Sequence, residues 1–316
     1  MPDDVRVSVV VPARNAAATL GRTLECLAAQ AVDGRIEVVV VDDGSDDDTA
    51  AIARGAPGEV KLVSEGRLGA AQARNRGVAE ASAAVIAFTD ADCFPTPTWL
   101  ARALDTLVDA DLVQGRVEPD PSARLGPFDR TIWVESERGF YETANLVVRR
   151  ELFERIGGFE DWLDTRGEKL LAEDVWFGWR AVRAGARTRF ASDAVVHHAV
   201  FPRGPGGYLA ERLRLRYFPA IARQIPEFRR RTLFARYFLS PRSAAFDAAL
   251  AGALVAALSR SHVPLVAAVP YARIATRGTL AYRRRAPLVA AVRAAGDVVG
   301  LGALAAGSVR WRSPVL

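Results

Sequence analysis

Two aspartates one residue apart, Asp90 and Asp92, follow the short apolar run Ala84–Thr89. Two carboxylates at one strand end can face a single cavity. Hard divalent cations prefer oxygen ligands, and Mg²⁺ typically takes one or two protein carboxylates together with substrate phosphate oxygens. The spacing therefore indicates a site for a metal–diphosphate complex, and the alternative is a solvated turn.

A second acidic pair, Asp42 and Asp43, stands at the end of the apolar run Ile36–Val41. Capping of the following helix is the structural alternative for this segment, because Asp and Ser side chains accept hydrogen bonds from free helical N–H groups. Capping would explain Ser45 or Asp46, but it does not require two carboxylates at the end of the strand. We therefore keep Asp42 and Asp43 as candidate ligand-binding residues.

Two further pairs of adjacent residues, between positions 100 and 200, are candidates for catalysis or metal binding. Glu173 and Asp174 precede an apolar helix start. Acidic residues stabilise the N-terminus of any helix, which is the structural interpretation. The functional interpretation is a carboxylate general base. His197 and His198 close a short strand. Because side chains alternate along a strand, at most one of the two imidazoles points into a given cavity. That imidazole is a candidate metal ligand, and the alternative is a structural histidine at the sheet edge.

Strand and helix patterns alternate through the first 110 residues, which predicts an α/β fold with a mostly parallel sheet and helices on both faces. The predicted strands are Val5–Pro12, Ile36–Val41, Val60–Ser64 and Ala84–Thr89, and the predicted helices are Ala16–Gln30, Asp48–Arg54, Ala70–Ala81 and Thr98–Val108. In such sheets, ligands bind beyond the carboxyl ends of the strands. Both acidic pairs that follow strands lie at that edge.

The pattern is less regular between residues 110 and 200. The patterns there predict strands at Val113–Glu118, Asn145–Arg149 and Ala194–His198. They predict helices at Glu151–Ile156 and Asp174–Ala184. We predict that residues 1–200 form the first domain.

Residues 201–316 form a second region of opposite charge. They carry 19 arginines against four acids, whereas residues 1–200 hold 33 acids against 23 basic residues. Three apolar stretches, Ala248–Ser259, Val263–Ala272 and Val298–Val309, have basic flanks, and none reaches the 18 or more uncharged residues of a spanning helix. This combination predicts helical segments that lie in or shallowly enter an anionic membrane surface. An ordinary helical bundle with a solvated basic face is the alternative.

Several classes of protein are disfavoured by the composition and by missing motifs. Two cysteines cannot form a disulfide framework, and the acidic N-terminus is unlike a signal peptide, so we expect a reducing compartment. No glycine-rich dinucleotide motif or P-loop follows a strand. The basic residues alternate with long apolar stretches, which argues against a nucleic-acid partner.

The ordered set of motifs resembles the inverting family 2 glycosyltransferases, which have the GT-A fold. The resemblance covers roughly residues 5–200 and is colinear. The matching segments are Val9–Asn15, Val41–Ser45, Gly69 with Ala73–Asn75, Thr89–Asp92, Asn145, Arg150–Phe153, Ile156–Phe159, Glu173-Asp174 and Val195–His198.

The resemblance implies a role for each matching residue. Pro12, Ala13 and Asn15 would line the nucleobase pocket. Asp43 would bind the nucleobase, with Asp42 beside it. Arg74 would contact the nucleotide or its diphosphate, and Asp90 would face the ribose.

The remaining roles concern the metal and the acceptor. Asp92 would coordinate a divalent cation, Mn²⁺ or Mg²⁺. His198 is favoured over His197 as a further ligand, because His197 occupies a position that is commonly aromatic in this family. Asp174 would be the catalytic base, and Glu173 would touch the acceptor. The donor would be a nucleoside-diphosphate sugar, most commonly UDP-linked.

Two departures from the family's processive members refine the expectation. Their QxxRW motif is absent after Asp174, and so are their long spanning helices, so we expect transfer of a single sugar. The tail resembles that of membrane-associated bacterial relatives at Gly307–Arg310. The resemblance and the basic tail together predict a glycan or lipid-linked acceptor at the cytoplasmic face of the cell membrane. The alternatives are a nucleotidyltransferase and a non-catalytic nucleotide-sugar binder or membrane scaffold.

Overall fold

The structure is a computed structural model that describes residues 5–163 and 172–316. It divides into two compact units. The first comprises the chain up to Arg124 together with Thr131–Val200, and the second comprises Leu125–Arg130 together with Phe201–Leu316.

The described part of the first unit is built on one eight-stranded sheet in the order β3-β2-β1-β4-β7-β6-β8-β5. Its strands are β1 Val5–Ala13, β2 Arg35–Asp43, β3 Val60–Glu65, β4 Val85–Phe88, β5 Cys93–Pro95, β6 Leu112–Pro119, β7 Leu146–Arg149 and β8 Thr188–His198. Its helices are α1 Leu20–Ala28, α2 Thr49–Arg54, α3 Ala70–Glu80, α4 Trp99–Leu107, α5 Arg150–Arg155 and α6 Glu173–Arg183, with a 3₁₀ turn at Thr143–Asn145.

The first four strands are parallel, as the alternating pattern predicts. β1 lies between β2 and β4 with Val7 and Val9–Val11 fully buried, and β2 pairs with β3. Strands that are covered on both faces read as continuous apolar runs, which explains why these four were recognisable.

The rest of the sheet adds three antiparallel pairs to the parallel ones. β7 runs antiparallel to both β4 and β6, and β5 runs antiparallel to β8, whereas β6 and β8 are parallel. The strand–helix alternation on which the parallel prediction rested stops near residue 110. β5 was not predicted, because three residues that end in a proline carry no strand periodicity.

A buried asparagine holds β6, β8 and α4 together next to these strand ends. The Asn145 side chain donates to the carbonyls of Arg116 and Ala194, each at 2.8 Å, and accepts from the indole N–H of Trp99, also at 2.8 Å. Gly115 makes room for it, since a Cβ there would lie 2.3 Å from the Asn145 amide. Thus one side chain satisfies three buried polar groups where the β6–β8 register shifts.

The described part of the second unit is helical. It contains α7 Pro205–Arg212, α8 Phe218–Gln224, α9 Pro226–Arg231, α10 Pro241–Ser259, α11 Val269–Arg277 and α12 Ala286–Trp311, with 3₁₀ segments at Leu213–Tyr217, Val263–Ala268 and Leu280–Arg285. Two stretches, Pro241–Ser259 and Leu280–Trp311, are long and apolar enough to cross a membrane by length and composition alone. The sequence windows missed them because charged residues such as Asp247 and Asp297 interrupt the apolar runs.

The end of α10 forms a helical hairpin with the segment that follows it. Arg260 ends the helix in a left-handed conformation (φ 54°), and the 3₁₀ segment packs back closely, because a Cβ on Gly252 would lie 2.5 Å from the Pro264 carbonyl. Both arms expose large apolar side chains, with Leu258 78% and Val263 77% exposed. We call residues 250–269 the apolar hairpin.

Candidate active site

The nucleotide-binding candidates lie where β1 and β2 end side by side. Ala13 is the register partner of Asp42, and Pro12 that of Val41. Beyond the strand ends, Asn15 adopts a left-handed conformation (φ 49°). Its N–H donates to Ser45 Oγ and its side-chain oxygen accepts from the N–H of Asp46, both at 2.9 Å. These contacts fix the two loops against each other.

Both aspartates of this group are buried and accept hydrogen bonds from backbone amides. Asp42 accepts from the N–H of Ser45 at 3.1 Å. Asp43 accepts from the N–H groups of Leu68 and Gly69, at 2.5 and 3.1 Å, and so holds the loop that leads into α3. Asp43 therefore fixes the loop between β3 and α3, a structural role that the pattern of strand and acid alone did not indicate.

Arg74 on α3 is buried between carboxylates from two distant parts of the chain. Its guanidinium donates to Asp90 at 2.7 Å and lies 3.4 Å from Glu173. The first contact links α3 to the strand end of β4, and the second links α3 to the start of α6. A buried arginine needs such partners, since an unpaired charge in this environment is costly. Sequence reasoning predicted Arg74 as a nucleotide contact and missed its contact with Glu173.

Asp92, Cys93 and His198 bring a carboxylate oxygen, a thiol sulfur and an imidazole nitrogen within 4.8 Å of one another. His198 Nε2 lies 3.6 Å from Asp92 Oδ1. On the other side of the ring, Nδ1 is 2.6 Å from the carbonyl of Ala199 and 3.3 Å from Thr131 Oγ1. A ring nitrogen that donates to a carbonyl fixes the tautomer and directs the other nitrogen as a ligand.

This donor set fits a divalent cation. Carboxylate oxygen and imidazole nitrogen both suit Mn²⁺, and phosphate oxygens of a substrate would complete its coordination. His197, by contrast, is the register partner of Phe94 and has no position in the cluster.

Asp174 stands in the first turn of α6, directly after Ala172, whose backbone is left-handed (φ 68°), and Glu173. Burial raises the pKa of Asp174 well above its ordinary value, and the neighbouring charges of Glu173 and Glu142 raise it further. The Val175 N–H donates to Asp174 Oδ1 at 2.8 Å and opposes this rise. A carboxylate whose pKa is raised is a stronger base once ionised, which suits it to accept a proton.

Glu142 and Cys93 were missed by sequence reasoning. Glu142 is half-buried, accepts a hydrogen bond from Gln114, and has its own pKa raised by desolvation. Neither residue follows a recognisable strand or begins a helix in the sequence. Cys93 directly follows Asp92, which is the one signal that could have found it.

Comparisons with known proteins match this chain to glycosyltransferases. A family model described as glycosyl transferase family 2 matches residues 8–160, and one described as glycosyl transferase family group 2 matches residues 128–279. Glycosyltransferase AglE of Haloferax volcanii is 33% identical over 213 residues, which are 63% of this chain and 68% of that protein.

Two further proteins, one from its sequence and one from its solved structure, are similar to this chain. The pre-mycofactocin glycosyltransferase of Mycobacterium tuberculosis is 30% identical over 222 residues, 62% of this chain, and the match spans only 43% of that longer protein. Among solved structures, the mannosyltransferase PcManGT from Pyrobaculum calidifontis, in complex with GDP-Man and Mn²⁺, superposes with a TM-score of 0.62. It is 24% identical, and the match covers 95% of this chain and 89% of that one, so the likeness concerns the GT-A fold.

Proposed function

Since this chain belongs to glycosyltransferase family 2, we propose that it is an inverting, metal-dependent enzyme that transfers one sugar from a nucleoside-diphosphate sugar to an acceptor hydroxyl. The observation that carries the proposal is the state of Asp174. The pKa of this carboxylate, at the start of α6, is raised. Its neighbour Glu173 contacts Arg74 of α3, and Arg74 also contacts Asp90, so α6 lies next to the other candidate residues. An acid that only stabilised the start of a helix would be more favourable in its ionised form, and it would not need surroundings that raise its pKa.

The donor nucleotide is assigned to the ends of β1 and β2. Pro12, Ala13 and Asn15 would line the base pocket, with Asp42 and Asp43 at its wall and Arg74 and Asp90 toward the ribose and diphosphate. The fixed loops described above support a preformed pocket. UDP is our first choice of nucleotide, and the GDP-Man bound to PcManGT makes GDP the leading competitor.

Asp92 and His198 are assigned as the protein ligands of a divalent cation, Mn²⁺ or Mg²⁺. When bound, such an ion offsets negative charge on the departing nucleoside diphosphate. Asp174 takes the proton from the acceptor hydroxyl, and Glu173 contacts the acceptor. The new bond forms between the acceptor oxygen and the anomeric carbon, and the bond from that carbon to the phosphate oxygen breaks. Attack from the opposite face inverts the configuration in one displacement.

Thermal stabilisation by nucleotides tests the donor site. A ligand that binds only the folded protein raises its melting temperature by mass action. We expect one of UDP, GDP and dTDP to raise it in a Mn²⁺- or Mg²⁺-dependent manner, and the shift to disappear in Asp92→Ala. No shift with any nucleotide would overturn the proposal. A shift without sugar transfer to any acceptor would favour the non-catalytic binder, and nucleotide coupling to a sugar phosphate would favour the nucleotidyltransferase.

The second unit is assigned to the cytoplasmic face of a membrane with anionic lipids. Support comes from the exposed apolar hairpin and from the excess of arginine in residues 201–316. Soluble proteins rarely expose apolar patches of this kind. A glycan or lipid-linked acceptor suits this location. The full chain should sediment with vesicles that contain phosphatidylglycerol at physiological salt, and a chain that stays in the supernatant would exclude this assignment.

A further inference from the structure

We propose that Cys93 is a third protein donor in the Asp92–His198 cluster, and that it makes this site bind thiophilic divalent cations such as Zn²⁺ and Cd²⁺. The inference rests on the proposed function insofar as it uses the same metal position. It goes beyond that function by assigning a cysteine to the site and by predicting which cations the site retains without nucleotide.

The pairing of two strands brings the thiol to the imidazole. β5 runs antiparallel to β8, and Cys93 stands directly opposite His198 in the register. Directly opposed residues of an antiparallel pair project on the same face of the sheet. Asp92 immediately precedes β5, so two of the three donor side chains lie at the start of β5 and the third lies at the end of β8.

The distances approach those of a tetrahedral site. Cys93 Sγ lies 4.0 Å from Asp92 Oδ1, and His198 Nε2 lies 3.6 Å from the same oxygen. Zinc bonds of about 2.3 Å to sulfur and about 2.0–2.2 Å to nitrogen and oxygen imply donor separations of roughly 3.3–3.7 Å. The two distances to Asp92 Oδ1 therefore exceed these separations by a few tenths of an ångström at most, and all three donors lie within 4.8 Å of one another.

The chemistry of the donors selects the cation. Mg²⁺ and Mn²⁺ prefer oxygen ligands and would use Asp92 and His198 together with phosphate oxygens. A thiolate favours softer ions, and Zn²⁺ already binds a given site more tightly than Mn²⁺. Three protein donors with a fourth position open to substrate is also the arrangement of catalytic zinc sites. When the sulfur binds the ion, the thiol releases its proton to solvent.

The alternative is that Cys93 only fills space. It is fully buried among apolar residues, and free cysteines often behave as small apolar side chains. Under this alternative the sulfur never contacts a metal, so a sulfur-to-metal charge-transfer band separates the two explanations without any measurement of activity.

Titration of the purified full chain with Cd²⁺, in the absence of nucleotide, provides the test. We expect a near-ultraviolet sulfur-to-cadmium band that saturates at one equivalent in the wild type. Cys26→Ser is the matched control, because Cys26 on α1 is the other free cysteine and should leave the band intact. Cys93→Ser should abolish the band and weaken Zn²⁺ binding at least about tenfold, while Mn²⁺ affinity in the presence of nucleotide changes less than about threefold.

A second variant guards against misfolding, since Cys93→Ser places a hydroxyl in the core. Cys93→Ala should also abolish the band and weaken Zn²⁺ binding. Only a variant whose circular dichroism spectrum matches that of the wild type is used for the comparison. The proposal is overturned if the wild type shows no band, if the band survives in a folded Cys93 variant, or if Cys26→Ser removes it. Sugar transfer with Mn²⁺ is measured separately. A band without transfer would defeat the proposed function alone, and transfer without a band would defeat the role of Cys93 alone.

Discussion

Asp174 combines a proposed catalytic role with a measurable energetic consequence. Burial and two acidic neighbours disfavour its ionised form in the folded protein. The carboxylate is therefore held in a state from which it readily accepts a proton, and the folded protein is less stable when this group is charged. Activity and stability should respond in opposite directions to its removal.

Asp174→Asn should lower the transfer rate by about 10²–10⁴-fold, as expected for loss of a general base. Because the pKa of Asp174 is raised on folding, its stabilising contribution is complete below the pKa of the unfolded carboxylate and is lost as the pH rises through the folded value. The variant should therefore melt at a higher temperature than the wild type at pH 8, and the difference should shrink toward pH 4. A variant that melts lower at pH 8 would contradict the buried, charge-disfavoured state.

Glu173→Gln tests the charge coupling next to the base. Removing the negative charge of Glu173 removes one cause of the raised pKa of Asp174, and it leaves the Arg74 charge less neutralised. The acidic limb of the kcat/KM profile should therefore move to lower pH relative to the wild type. Glu154→Gln, on the exposed side of α5, is the control and should leave the profile in place. A limb that stays in place in Glu173→Gln would mean that another group controls it.

Sequence patterns located candidate acids at the residue scale but did not reveal their partners. Asp90, Asp92 and Asp174 stand at strand or helix ends and could be selected from position alone. Arg74 meets Asp90 and Glu173 across 16 and 99 residues of sequence, and no local pattern encodes such contacts. Cys93 carries no such signal, because it lies far from His198 in the sequence and no local cysteine–histidine pattern marks the pair.

Elements were predictable where their periodicity was local. β1–β4 and α1–α4 follow the apolar runs and heptad-like spacings closely, because each buries its own face against the same sheet. The position of β7 between β4 and β6 depends instead on long-range pairing. Its four residues, Leu146–Arg149, indicate a strand but carry no information about direction.

The Asn145 side chain is the element-scale feature with the largest expected effect on stability. Asn145→Ala leaves the carbonyls of Arg116 and Ala194 and the indole N–H of Trp99 without their partner, at about 1–3 kcal/mol for each buried group. We expect a loss of at least about 3 kcal/mol in the free energy of unfolding, measured by urea denaturation.

Thr106→Ala is the control for this prediction, because Thr106 is half-buried on α4 and its hydroxyl donates to the Arg102 carbonyl within the same helix. It should change the free energy of unfolding by less than about 0.5 kcal/mol. An Asn145→Ala variant as stable as Thr106→Ala would show that β6, β8 and α4 keep their arrangement without the amide.

At the scale of the whole molecule, the chain joins an acidic sheet unit to a basic helical unit. The division of charge was visible in the sequence, but the length of the apolar helices was not. α12 continues through Asp297, which breaks the apolar window, and Asp297 pairs with Arg242 of α10 at 2.7 Å within the helical unit. A partly buried ion pair lets an apolar helix carry charge, and single-sequence windows do not detect such pairing.

The proposed membrane contact has two separable contributions, one from the apolar hairpin and one from arginines. Arg283, Arg284 and Arg285 are exposed, and each basic residue near an anionic surface contributes about 1 kcal/mol at moderate salt. Replacing all three by glutamine should weaken binding to phosphatidylglycerol vesicles at least about tenfold at physiological salt, with little difference from the wild type at 1 M salt, where such charges are screened.

Replacing Leu254 and Leu258 by serine should weaken binding at both salt concentrations, because burial of apolar area is insensitive to screening. Vesicle sedimentation of both variants, with circular dichroism to confirm folding, measures each contribution. Wild-type binding by the Leu254/Leu258 variant at both salt concentrations would show that the hairpin does not enter the bilayer, and unchanged binding by the arginine variant at physiological salt would show that these arginines do not contribute.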